Sequence, residues 1–464
     1  WHSNLSARHL DKRCERVDTF SVSGDGERLV VRHRDDTIVV PSSHKVDDDD
    51  PAYIRVDLTR LRRTVNPRAE WRQMFDENGR LMASHYWRED MNGVDWDSVL
   101  NRYRPLVDLC HVVDDLHDIL WETVAELNTS HSYVSASGAA GDSDMRAGLL
   151  GADVSSGNDG AKVVRVIPGE SSDPRAWSPL RAAGVAVTEG DVIVAVDGRK
   201  VGADGNLGEL LEGSAGRVVE LTVRRGENER QVAVVPMADE APLRYHDWVA
   251  SRRRYVEEHS GGRLGYLHVP DMVSDGWAEL HRQIGEATRH EGVIADVRFN
   301  HGGHTSQLVV ERLARRVVGW DYSRWYATAD TYPQNAVRGP IVMVTNQWAG
   351  SDGDIVAAAT QAMGYAKVIG ERSWGGVVGI DGRFDLVDGT SVTQPRYAGW
   401  YGSYGWGVEN HGVDPDIVVT VSPEDWEADC DVQLDAAIAE CLRQLDDKPA
   451  ATAPELPGPA FDRC

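Results

Sequence analysis

From residue 263 onward the spacing of apolar residues switches repeatedly between two patterns. "RLGYLHV" (263–269) is short and nearly all apolar, while "DGWAELHRQIGEATRH" (275–290) carries apolar residues three and four apart. The order then repeats through "GVIADVRFN" (292–300), "HTSQLVVERLARRVVG" (304–319), "PIVMVTN" (340–346), "GDIVAAATQAMGY" (353–365) and "AKVIGE" (366–371). Short apolar runs read as strands and the 3.6-residue pattern as helices. A strand–helix succession of this kind has to bury its apolar faces in layers, so residues 241–445 are expected to form an α/β layered domain.

The rest of the chain reads differently. At 464 residues it is too long for one ordinary core. "VDTFSVSGDGERLVVRHRDDTIVVP" (17–41) alternates apolar and polar residues around a "GDG" turn, as a hairpin does. A few strands cannot bury a sheet alone, so residues 1–50, with a linker at "DDDD" (47–50), are expected to end a repeat array that starts upstream. The chain begins at Trp1 rather than Met and is read as the C-terminal piece of something longer. Residues 51–155 are mainly helical, with Asp97 or Asn101 as the expected cap of the second stretch and Trp71, Trp87, Trp96 and Trp121 as core residues. Residues 156–240 form a small β-rich module whose "GDVIVAVDG" resembles a PDZ domain, a fold that binds extended peptide termini by adding a strand to its edge. The proline-rich end, 446–464, is expected to be a flexible tail.

Composition excludes several classes of partner. A formal charge of −25 argues against nucleic acid and anionic membranes, whose surfaces are themselves negative. No apolar run approaches the roughly 18 residues of a membrane span. The five cysteines are scattered and form no CxxC pair, so neither a disulfide framework nor a zinc cluster is signalled, and a reducing cytoplasm is the plain reading. No metal or other cofactor is called for.

Chemistry concentrates where "IVMVTN" turns through "WAGSDGD" into a helix. Ser351 sits at that turn between Gly350 and Asp352, close to the unpaired N–H groups and positive end of a helix, as in a nucleophile elbow, although the sequence is not GxSxG. On local sequence alone the plainer alternative is that Ser351 or Asp352 merely caps the helix. A nucleophilic serine needs a base. Lys367 is the one lysine near by in sequence, and Ser–Lys peptidases of related design carry theirs further on, where this chain has "WGG" (374–376). A histidine is therefore preferred. His131 in "LNTSHSYV" (127–134) stands out because hydroxyls flank it at an element boundary, while His268 and His301 have no orienting neighbours. The adjacent glycines of "FNHGGHTS" (299–306) would expose backbone N–H groups of the sort an oxyanion hole requires. Glu409, in "WGVENHGVDPDIVV" (406–419), means little by itself.

Taken together, "LNTSHSYV", "VRFNHGGHTS", "NQWAGSDGDIVAAA", "ERSWGGVVGI" and "VENHGVDPDIVV" occur in the order and spacing of the tricorn protease family. The resemblance covers nearly the whole chain and implies a multidomain α+β protein. Its parts would be the end of a β-propeller, a helical core part, a PDZ insertion and an α/β layered, ClpP/crotonase-like catalytic part. It also implies that Ser351 is the nucleophile, His131 the general base, Ser130 the group that orients the imidazole and Glu409 the group that holds Ser130. The oxyanion hole would be the N–H groups of Asp352 and Gly303, and Asp321 would select basic residues ahead of the scissile bond. Family members cut short peptides made by other cytosolic proteases into di- to tetrapeptides, and they assemble as hexamers. The expectation is a serine peptidase of short peptides that works as a homo-oligomer. The alternatives are an inert PDZ-bearing scaffold, a Ser–Lys C-terminal processing peptidase and a CoA-type acyl enzyme.

Overall fold

The computed structural model describes residues 2–4, 9–11, 17–34, 36–62, 64–136, 145–202, 206–325 and 327–456. Cys14, Cys464 and the last eight residues of the expected tail lie outside the described residues. The chain divides into two compact units, residues 1–70 and 71–464.

The first unit holds a four-stranded antiparallel sheet of Thr19–Val22, Arg28–His33, Asp36–Pro41 and Ile54–Val56, paired in that order. Asp25 in the "GDG" turn accepts hydrogen bonds from the Ser23 hydroxyl and the Glu27 N–H, which closes the hairpin. Its core is small, built on Val31, Val40 and Val46.

In the second unit the helical part consists of α1 (Pro67–His85), α2 (Trp96–Val107) and α3 (Val113–Ala125). Asp95, not Asp97 or Asn101, caps α2 by accepting the Ser98 N–H at 3.0 Å. Met74, Phe75, Leu116 and Leu120 are fully buried between the helices, joined by Leu386 and Val392 from far along the chain. Trp121 departs from the expected core role. It is 40% exposed and packs edge-on against Tyr133. Past α3 the strand Val134–Ser135 pairs antiparallel with Ser391–Val392, so the helical part shares a core and a strand ladder with the segment between the last two strands of the parallel sheet.

The PDZ-like module is a twisted antiparallel sheet in the order Asn228–Val234, Val219–Arg225, Val192–Val196, Gly160–Val166, Ala152–Gly157. Its first strand thus starts ahead of residue 156. It is fastened to the helices that follow by a bidentate Arg165–Asp247 pair at 2.6 and 2.7 Å, by Arg244–Asp153 at 2.9 Å and by Arg175–Asp275 at 3.0 Å.

The layered domain begins with helix α4 (Ala241–His259). Five strands follow, β1 (Leu264–His268), β2 (Gly292–Asp296), β3 (Ile341–Thr345), β4 (Ala366–Gly370) and β5 (Ile417–Val418), and they form one parallel sheet in sequence order. Every residue of β1, β2 and β3 is buried, which is why these strands read as unbroken apolar runs. Alternate side chains point to opposite faces. Val293, Ala295, Ile341 and Met343 pack under helices α5 (Ser274–Ala287), α6 (Ser306–Leu313) and α7 (Asp352–Met363). Ile294, Val342 and Val344 face α4 and α8 (Val432–Asp447). Each large side chain fully buried there contributes roughly 1.5–3 kcal/mol. Helix α6 is shorter than its sequence pattern. It ends at Leu313, and the Val318 N–H donates to the Tyr332 carbonyl at 2.9 Å, turning Gly319–Asp321 into a hairpin strand against Asp330–Tyr332. No helix among the described residues is long and apolar enough to cross a membrane.

Candidate active site

Ser351 joins β3 to α7. Its backbone has φ 58° and ψ −119°, a region a non-glycine residue enters at a cost of order 1–3 kcal/mol. The neighbouring chain fits closely around it. A Cβ on Gly302, whose φ is +74°, would lie 2.5 Å from Ser351 Cβ and 3.1 Å from its Oγ, so no larger residue fits there. Gly350 donates its N–H to the Asn300 carbonyl at 3.0 Å, and Asn300 Oδ1 accepts from Gly302 N–H at 2.9 Å. One asparagine therefore ties the serine turn to the glycine turn.

Ser351 makes no side-chain capping bond to α7. Nor does Asp352 cap its own helix. Its buried carboxylate accepts the Ser306 N–H at 2.9 Å and the Ser306 hydroxyl at 2.6 Å, holding the start of α6. Among the described residues neither the Asp352 N–H nor the Gly303 N–H donates a hydrogen bond.

His131 approaches from the helical part. Tyr133 and Thr393 fix its loop: the Tyr133 N–H donates to Thr393 Oγ1 at 2.7 Å, and that hydroxyl donates to the His131 carbonyl at 2.8 Å. Ser130 Oγ lies 3.2 Å from His131 Nδ1, so the upstream hydroxyl orients the ring. The downstream one, Ser132 Oγ, is buried without a partner among the described residues. The ring is 7% exposed, and burial pushes its pKa below the ordinary imidazole value while the Glu409 carboxylate opposes that shift. A neutral imidazole, the form a general base needs, is thereby favoured.

Glu409 holds Ser130 by its backbone. Oε1 accepts the Ser130 N–H at 2.9 Å, and Oε2 accepts the Val377 and Val378 N–H groups at 2.7 and 2.9 Å. Asn410 reinforces the same loop, its side-chain amide donating to the Asn128 carbonyl at 2.7 Å.

No hydrogen bond joins His131 to Ser351 among the described residues. Trp374 touches both sides instead: its ring lies edge-on to His131 with centroids 5.4 Å apart, and a Cβ on Gly350 would strike it at 2.7 Å. In the sequence this "WGG" lies within "ERSWGGVVGI", at the place where Ser–Lys peptidases carry their lysine. Lys367 itself is exposed on β4 and pairs with Asp416 at 3.3 Å. His268 is buried, held between the Tyr245 hydroxyl and the Arg298 carbonyl, and is a core residue. Asp321 is exposed on its hairpin and touches neither Ser351 nor His131 among the described residues. No group of His, Cys, Asp and Glu among the described residues could hold a metal ion.

The domains that surround this site match known families. Residues 263–419 match peptidase family S41, residues 148–239 the tricorn protease PDZ domain, and residues 67–125 the tricorn protease C1 domain. Tricorn protease homolog 1 of Streptomyces coelicolor is 58% identical over 95% of this chain, which spans 42% of that relative. The tricorn protease of Thermoplasma acidophilum is 36% identical over 95% of the chain, which spans 41% of it. A crystal structure of the tricorn protease superposes with a TM-score of 0.88 at 33% identity, over 96% of this chain and 43% of that one. The chain thus corresponds to about two-fifths of these relatives, PDZ and S41 domains included, and it belongs to the tricorn protease family.

Proposed function

We propose that the chain is a serine peptidase whose relay runs from Ser351 through His131 to the Ser130 hydroxyl, with Glu409 holding Ser130 in place by its backbone N–H. The observation that carries this reading is Ser351 itself: a strained, uncapped serine at a helix N-terminus, beside two N–H groups without acceptors. His131 Nε2 takes the Ser351 proton as Oγ attacks a peptide carbonyl. Nδ1–H donates to Ser130 Oγ, which keeps the ring in the required tautomer. Asp352 and Gly303 N–H groups receive the negative charge as it forms on the carbonyl oxygen, and each such donor is typically worth a factor of about 10²–10³. His131 then returns the proton to the departing amine, and water releases the acyl group by the same path. An inert scaffold would gain nothing from a backbone strained at this serine.

The rest of the reading follows the family. The substrates are short peptides left by other proteases, the products are di- to tetrapeptides, and the enzyme works in the cytoplasm as a homo-oligomer, a hexamer on the family pattern. A preference for basic residues ahead of the scissile bond, through Asp321, rests on the resemblance alone. The acidic charge of −25 draws cationic peptides toward the surface. The test is labelling by a fluorophosphonate, with the unsubstituted chain and Ser351→Ala side by side. Labelling of the unsubstituted chain alone supports the assignment. Equal labelling of both, or of neither while both are folded, removes it.

A further inference from the structure

One short segment, residues 373–378, touches His131 and Glu409 and the two residues that lead into Ser351. Trp374 lies against His131 and against Gly350, and its N–H donates to the Ala349 carbonyl at 2.9 Å, two residues before Ser351. Val377 and Val378 donate their N–H groups to Glu409. The Asn410 N–H donates to the Gly375 carbonyl at 2.7 Å, binding the segment to the Glu409 loop as well. The segment has little room to move. Gly375 has φ +92°, a Cβ on it would lie 2.5 Å from Gly412 N, and a Cβ on Gly376 would lie 2.2 Å from the Trp374 ring.

What holds this segment to the serine helix is Asp354, three residues after Ser351. Its carboxylate is 0% exposed and accepts from the Ser373 hydroxyl and from the Gly375 and Gly376 N–H groups, the latter two at 2.8 and 3.2 Å. Ser373 Oγ in turn accepts the Val413 N–H at 2.8 Å. The bonds to Asp354 come from neutral donors, so a charge is buried there on neutral partners. Burial accordingly lifts its pKa from 3.8 to about 6. A buried carboxylate without a counter-charge is an expensive way to close a loop. Its effect is geometric, since one side chain presents acceptors to three donors within four residues, Ser373, Gly375 and Gly376.

Resting on the reading of Ser351 as nucleophile, we infer that Asp354 is a positioning residue: it latches segment 373–378 onto the serine helix, and through Trp374 sets the approach of His131 to Ser351. No hydrogen bond joins the two catalytic side chains among the described residues, so the segment packed between the His131 ring and the turn ahead of Ser351 decides whether they meet when substrate arrives.

Three variants test this, Asp354→Ala, Asp354→Asn and Ser373→Ala, each with two independent readouts. The first is the kcat and KM of a short peptide, with the rate of fluorophosphonate labelling. The second is hydrogen exchange by mass spectrometry over 373–378 and over α7. The expected result is a kcat lower by about 100-fold in Asp354→Ala, the scale of a 1 Å misplacement, and by less in Asp354→Asn, which keeps one acceptor, with KM within about twofold. Exchange speeds up over 373–378 while α7 stays protected. The inference is overturned if kcat is retained although exchange speeds up, if neither changes, or if α7 loses protection along with the segment. If the unsubstituted chain does not label, the reading of Ser351 fails and the catalytic consequence with it. The exchange data still decide separately whether Asp354 holds the segment.

Discussion

Consider Glu409→Gln. In the native protein one oxygen serves Ser130 and the other serves Val377 and Val378. An amide has a single acceptor oxygen, and its NH2 cannot face an N–H. The side chain settles with its oxygen toward the two valine donors, which satisfies two bonds rather than one, and the Ser130 N–H then loses its acceptor. A hydrogen bond to a charged acceptor is worth about 1.5–3 kcal/mol net. If that loss is felt fully in the transition state, kcat/KM falls by about 10- to 150-fold, since each 1.36 kcal/mol is tenfold. The charge matters separately. Glu409 raises the His131 pKa against the larger lowering by burial, so neutralising it lets that pKa fall further. The base must be neutral to act, and activity rises as pH climbs through the pKa. The acid limb of the pH–rate profile therefore moves to lower pH in Glu409→Gln, even as the plateau drops. Full pH–rate profiles of both proteins with one peptide decide the matter. A plateau within twofold of native, or an acid limb that moves upward, would refute the reasoning.

The other expectations can be checked quickly. Ser351→Gly abolishes labelling and relieves the backbone at φ 58°, so the chain gains about 1 kcal/mol of stability, read as a higher midpoint in a denaturant melt. Gly302→Ala places a methyl 2.5 Å from Ser351 Cβ and eliminates labelling, with the circular dichroism spectrum retained. Lys367→Met leaves peptide turnover within about twofold of native, because that lysine is exposed and paired with Asp416; a large loss would restore the Ser–Lys alternative. Burial pushes the Asp354 carboxyl up from the ordinary 3.8 to about 6 in the folded chain. The folded state thus binds its proton more tightly, and this group favours folding most below about pH 4 and progressively less as pH rises through 6. The stability difference between native and Asp354→Asn, followed by melts from pH 4 to 7, should shift in the variant's favour as pH rises.

Much of this was legible in the sequence because period and burial agree. Strands β1 to β4 and helices α5 and α7 lie where "RLGYLHV" and its successors put them, since a strand buried on both faces has no choice but to be apolar. The ends of elements were harder. Val317 and Val318 continue an apolar pattern beyond α6, yet they belong to a hairpin whose partner lies 14 residues on. The site was legible only in part, for a related reason. Ser351 and His131 become candidates only when the five motifs are read together, since each alone reads as a cap or a surface residue, and the grip on Ser130 is a backbone N–H bond to a glutamate 279 positions away. Asp354 reads as an ordinary first-turn acid on a helix, and Trp374 as one tryptophan among fifteen. Nothing local separates them from such residues. Their meaning comes from what folds against them.

The pairing of Val134–Ser135 with Ser391–Val392 has a consequence for the chain as it is made. The base emerges from the ribosome early, the serine much later and the glutamate later still, and the base cannot be placed until the distant strand arrives to clasp it. On the relay proposed above, a partly synthesised chain has no base in place: the loop that carries His131 is clasped only once Ser391–Val392 has been made and paired with Val134–Ser135.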